Sequence, residues 1–184
     1  MPKAFLFHGT GGHSAENWFP WMKTQLVAKG YETVIPDFPD SNRPHPSKWY
    51  PVIDVLVDQV GSDSLVIGHS LGGVMALRLL ERIDVQVDLL ALVATPLGIP
   101  PIQYIEGDSP FLEGGFQWEH IRSHAKHSIV FHSDNDPFVC MENGESAAEH
   151  LGVELTFVPN AGHFNASSGF TKFPILLDAI QKLL

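Results

Sequence analysis

LVIGHSLGGVMALRLL, Leu65 to Leu80, changes character in its middle. Leu65, Val66 and Ile67 form a short unbroken apolar run, as in a strand buried on both faces. From Leu71 onward the segment reads as an apolar helix. Ser70 stands at the junction, with Gly68 two residues before it and Gly72 two residues after. This is G-x-S-x-G between a strand and a helix. Such a turn lifts a hydroxyl above the sheet edge, and the small neighbours prevent clashes in the bend. Gly73 extends the small-residue patch to where the helix must approach neighbouring strands. The helix N-terminus beneath the serine adds positive potential where an oxyanion would form. The five-residue pattern is common by chance; its strand–turn–helix setting makes Ser70 a candidate nucleophile.

Outward from the elbow, short apolar runs alternate with helix-period segments. Strands are predicted in 3–9, 32–38, 64–70, 88–95, 128–133 and 154–159. Ile53, Leu56, Val57 and Val60 recur at i, i+3, i+4, i+7, as do Phe173, Leu176, Leu177 and Ile180; Trp18, Met22 and Leu26 form a looser stripe. Gly30, Gly61 and Gly152 stand where left-handed residues would close helices. Near-continuous apolar strands alternating with helices imply an α/β fold: six strands, mainly parallel, with helices on both faces. No repeat, low-complexity tract or linker divides residues 1–184, so a single domain is expected. Residues 96–126 carry prolines, glycines and four aromatics. They are too long for a simple connection and predict a loop-and-helix excursion near the active site, helical from about Phe116.

A serine hydroxyl needs a base, and the base needs an orienting group. In this fold class they follow in the order Ser, Asp, His at later strand ends. Asp136 follows the strand-like SIVFHS, and His163 follows ELTFVP. Asp134 is the rival acid; Asp136 is preferred for its Asp-x-x-Val spacing to Val139. An oxyanion needs two aligned N–H donors. Leu71, directly after the nucleophile, supplies one. The glycine-rich HGTGGH, His8 to His13, supplies the other, assigned to Thr10 with Gly11 as second choice.

Composition narrows the alternatives. Twenty-one acidic against eleven basic side chains give a formal net charge of −10, without a Lys/Arg cluster. That argues against nucleic acid or an anionic membrane as partner. The single cysteine, Cys140, excludes an internal disulfide and suits a reducing compartment. The apolar run at the N-terminus is too short for a signal-peptide core, so a cytoplasmic location is expected. His120, His124 and His127 could share one helix face, but no further ligand accompanies them, and a solvated face is the simpler reading. Ser14 replaces the third glycine of a dinucleotide fingerprint. No metal or cofactor is expected. Trp18, Phe19, Trp21, Phe111, Phe116 and Trp118 could contribute one or two walls of an acyl pocket, most being core.

HGTGG near the start, GHSLGG at 68–73, DNDPFV at 134–139 and AGHF at 161–164 together resemble the α/β-hydrolase superfamily. More narrowly, the chain is similar to the small serine hydrolases grouped with retinoblastoma-binding protein 9. The likeness spans nearly the whole chain, including ENWFPWMKTQL. It implies a sheet lacking the superfamily's first two strands, with the first strand here inserted between the second and third. It also implies Ser70, Asp136 and His163 as a catalytic triad, but no substrate and no protein partner. The expected activity is hydrolysis of carboxylic esters with small to medium acyl groups through an acyl-serine. The competing expectation is a silent hydrolase fold acting through protein contacts.

Overall fold

The computed structural model describes all 184 residues, Met1 to Leu184. Six strands form one parallel sheet: β1 Lys3–Phe7, β2 Glu32–Val34, β3 Leu65–His69, β4 Val87–Val93, β5 Ala125–His132 and β6 Leu155–Phe157. Their order is β2-β1-β3-β4-β5-β6, so the first strand does lie between the second and third. Chain direction across the sheet reverses between β1 and β3. Ligands of open parallel sheets bind outside the carboxyl ends at that point.

Seven α-helices cover the sheet: α1 Phe19–Ala28, α2 Pro46–Asp54, α3 Leu71–Leu80, α4 Ile105–Leu112, α5 Trp118–Ser123, α6 Met141–Leu151 and α7 Pro174–Leu183. In β1, Phe5 and Phe7 face a core shared with α2, α3 and α6, while Ala4 and Leu6 face one shared with α1 and α7. Burial on both faces explains the unbroken apolar strands. Helix α3 is buried along its whole length. Its Arg78 donates to the Phe111 carbonyl at 2.8 and 3.2 Å, pairs with Glu81 at 2.8 Å and lies over the Phe116 ring. One buried cation thereby ties the 96–124 excursion to the central helix.

Three expectations about the helices need correction. The stripe through Ile53, Leu56, Val57 and Val60 is not one helix. Helix α2 starts earlier, where Pro46 suits the first turn and the His45 ring accepts the Ser47 N–H, and it ends at Asp54. Its buried pair is Trp49 and Ile53, and a 3₁₀ turn at Val57–Gln59 follows. Gly30 and Gly152 are left-handed as expected, with φ of 91° and 71°. Gly61 is not; it opens a turn in which its N–H donates to Ser64 Oγ at 2.9 Å. The excursion holds α4 as well as the expected helix near residue 116, and β5 already begins at Ala125.

Candidate active site

Ser70 caps α3 with φ 55° and ψ −131°, a region that costs a residue with a β-carbon about 1–3 kcal/mol. The surroundings hold it there. Its N–H donates to the Val93 carbonyl at 2.8 Å, and its carbonyl accepts from Gly73 at 2.8 Å. A β-carbon on Gly68 would strike the Gly72–Gly73 backbone, and one on Gly73 would strike Thr95. A β-carbon on Gly9 would come within 2.6 Å of Ser70 Cβ. At all three glycines, therefore, neighbouring atoms leave no room for a side chain.

The loops after β5 and β6 are laced together residue by residue. Asp134 Oδ1 accepts the Asn160 N–H at 2.8 Å, and Ser133 Oγ accepts that of Ala161 at 2.9 Å. Asn135 Oδ1 accepts the Gly162 N–H at 2.7 Å. In this register Asp136 Oδ2 receives His163 Nδ1–H at 2.7 Å. The other oxygen, Oδ1, accepts from Phe138 N and Val139 N at 2.8 and 3.1 Å, and the carboxylate is fully enclosed. Asp134, the rival acid, is thus a brace for the histidine loop.

His163 is held from two further sides. His69 Nε2–H donates to the His163 carbonyl at 2.7 Å, while Trp18 Nε1–H donates to the Phe164 carbonyl at 3.0 Å. Complete burial pushes the His69 pKa down to about 3, with the neighbouring His163 lowering it further; its ring stays neutral. The Asp136 bond fixes the His163 proton on Nδ1 and leaves Nε2 free to accept. No hydrogen bond joins Ser70 Oγ to His163, although both side chains line one cleft of about 280 Å³. Such bonds are often long before substrate binds.

The cleft also separates the two candidates for the second oxyanion donor. The Gly11 N–H is occupied by the Ser41 carbonyl at 2.8 Å. Thr10 N and Leu71 N have no acceptor, and Leu71 opens α3, where an N–H lacks an intrahelical partner. His8 supports this loop: Phe38 N–H donates to its Nε2 at 2.9 Å, so the ring proton sits on Nδ1 and reaches the Gly9 carbonyl at 2.9 Å. Burial lowers the His8 pKa and keeps the ring neutral.

Other contributors carried no signal in sequence. Thr10 Oγ1 donates to Asp108 Oδ1 at 3.1 Å, joining α4 to the loop after β1. Asp108 is almost fully buried, and burial pushes its pKa up to about 6, against the opposing pulls of Thr10 and His163. Tyr104 and Phe138 are the apolar walls of the cleft, and Glu16, Asn17 and Asn165 make it largely polar. None of the six aromatics considered for an acyl pocket lines it. Trp18, Phe19 and Phe111 are fully buried in the cores because the parallel sheet needs large side chains beneath both helical layers. The three histidines do not share a helix: α5 ends at Ser123, and His127 lies in β5. His120 and His124 stack on one another, and no group of three potential metal ligands converges anywhere in the chain.

A family model described as "Serine hydrolase" matches residues 4–182. The chain belongs to the serine hydrolase family. It is 27% identical to YdeN of Bacillus subtilis over 181 residues, covering 97% of this chain and 94% of that one. It is also 27% identical to the serine hydrolase RBBP9 of Rattus norvegicus, over 99% and 95% of the respective chains. The crystal structure of the B. subtilis ydeN gene product superposes with a TM-score of 0.92 at 26% identity, covering 100% of this chain and 98% of that one. Est1E from Butyrivibrio proteoclasticus, solved with ferulic acid bound, shares the fold at a TM-score of 0.67 and 19% identity, over 98% of this chain and 90% of that one. The fold is that of α/β hydrolases. No helix is long and apolar enough to cross a membrane.

Proposed function

We propose that this hydrolase cleaves carboxylic esters with small to medium acyl groups through an acyl-serine intermediate, with Ser70, His163 and Asp136 as its catalytic triad. His163 Nε2 takes the Ser70 proton as the oxygen attacks the carbonyl carbon. Asp136 holds the imidazole orientation and stabilises its charged form. The tetrahedral oxyanion rests on the N–H groups of Thr10 and Leu71. The imidazolium then protonates the departing alcohol. Water, deprotonated by His163, releases the acid and restores Ser70. One observation carries the reading: His163 turns Nδ1 to Asp136 at 2.7 Å while it lines the same cleft as Ser70. The modest cleft volume supports small and medium acyl groups over long ones. A small-molecule acyl substrate and a cytoplasmic setting complete the proposal.

The test is turnover of 4-nitrophenyl esters graded from acetate to decanoate. The expected result is highest kcat/KM among the shorter chains and loss of about six orders of magnitude in kcat for Ser70→Ala, the scale seen for other triads. Full activity in a folded Ser70→Ala protein would overturn it. The second reading, a silent fold working through protein contacts, rests on the missing Ser70–His163 hydrogen bond. Absence of turnover with every ester would favour it.

A further inference from the structure

Among the side chains lining the cleft, Glu16 is the only carboxylate, and no Lys or Arg accompanies it. It lies just before α1, at the end of the glycine loop that leaves β1. Its Oε1 sits against Gly12, in space that a β-carbon there would occupy, so this glycine makes room for the carboxylate beside the loop whose Gly9, Thr10 and Gly11 line the cleft. Glu16 forms no salt bridge, unlike the buried Glu81, which pairs with Arg78. It is half-buried, and that burial raises its pKa, against smaller opposing pulls from His13 and His163. The His13 backbone N–H lies against it, but no Lys or Arg pairs with it, so part of the cost of withdrawing its charge from water is left uncompensated. The carboxylate gains most from a positive charge delivered into the cleft, where water does not screen the pair fully. The cleft's other polar lining, Asn17, Asn165 and Ser167, adds no charge that would compete.

We propose that Glu16 makes this cleft selective for substrates bearing a protonated or quaternary amine. The cation sits on the Glu16 carboxylate while the carbonyl faces Ser70. The inference rests on the hydrolase reading above and adds a substrate class to it. Glu16 acts on binding; it moves no proton in the reaction. Its charge also lies near His163, so its removal can alter the rate with any substrate. The diagnostic quantity is therefore a ratio between charged and neutral partners of the same shape.

Two diethyl phosphorothiolates supply that ratio, one with a 2-(trimethylammonio)ethylthio leaving group and one with the isosteric 3,3-dimethylbutylthio group. In each, Ser70 Oγ bonds to phosphorus, the P–S bond breaks, and the thiol leaves with the proton relayed from Ser70. Second-order phosphorylation rates are measured by intact mass in wild type and Glu16→Gln. The expected wild-type preference for the cationic reagent is about ten-fold at low ionic strength, falling in 0.5 M salt. In Glu16→Gln the ratio falls close to one. If the neutral reagent modifies Ser70 but the ratio is one in wild type, or is the same in Glu16→Gln, this inference fails and the hydrolase reading stands. If neither reagent modifies Ser70 in folded protein, both are overturned.

Discussion

At the scale of single residues, the site depends on which nitrogen of His163 carries a proton. Asp136 Oδ1 is held by two backbone N–H groups, so Oδ2 alone faces the ring. An asparagine there would keep its carbonyl on those N–H donors and turn its amide toward Nδ1. The imidazole would then be forced into the tautomer that cannot accept from Ser70. Asp136→Asn is expected to fold normally and lose about four orders of magnitude in kcat toward 4-nitrophenyl butyrate. Retention of wild-type kcat would show that Asp136 does not orient the base. The Asp136–His163 pairing and the cleft that His163 shares with Ser70 were foreseeable from the elbow and from chain order. The choice between Thr10 and Gly11 was not, since it turns on one hydrogen bond to Ser41, thirty residues away in sequence. Glu16 was equally hidden, because a carboxylate in ENWFPW has no pattern that separates cleft from surface.

At the scale of elements, α4 is the least legible part of the fold. IEGDSPFL contains a glycine and a proline, so local propensity argues against a helix there. Tertiary anchoring by Arg78 and Phe111 wins instead. Its Asp108 is a strained choice for a buried position. The folded-state pKa is about 6, above the ordinary 3.8, so the unfolded chain loses this proton more easily. Stability from this group is complete below pH 3.8 and is lost as pH rises through 6. Asp108→Asn keeps an acceptor for Thr10 Oγ1 and removes the charge. It is expected to raise stability by up to about 3 kcal/mol at pH 8, with the gain vanishing near pH 3.5. Denaturant unfolding at both pH values measures it; an equal effect at the two would mean that the charge is not the cause. The misplaced stripe near Ile53 has a related lesson. Periodicity marked residues that do pack inward, yet the start of α2 was decided by Pro46 and the His45 cap.

At the scale of the whole molecule, the parallel sheet was legible because strands buried on both faces cannot alternate polar and apolar residues, whereas its strand order followed only from the family resemblance. The order also explains how distant segments meet. Parallel strands all end on one edge, so the loops after β1, β3, β5 and β6 converge there with Thr10, Ser70, Asp136 and His163. The excursion between β4 and β5 adds Tyr104 to the same edge. What composition could not reveal is the polarity of the cleft, since the aromatic side chains went into the two cores.

The most direct test of this convergence is covalent labelling by a neutral alkyl fluorophosphonate, read by intact mass and peptide mapping. The account predicts one adduct per chain, located on Ser70, formed at least a hundred-fold more slowly in His163→Ala. A folded wild-type protein that remains unlabelled, or that is labelled on Ser70 at an unchanged rate without the His163 imidazole, would contradict it.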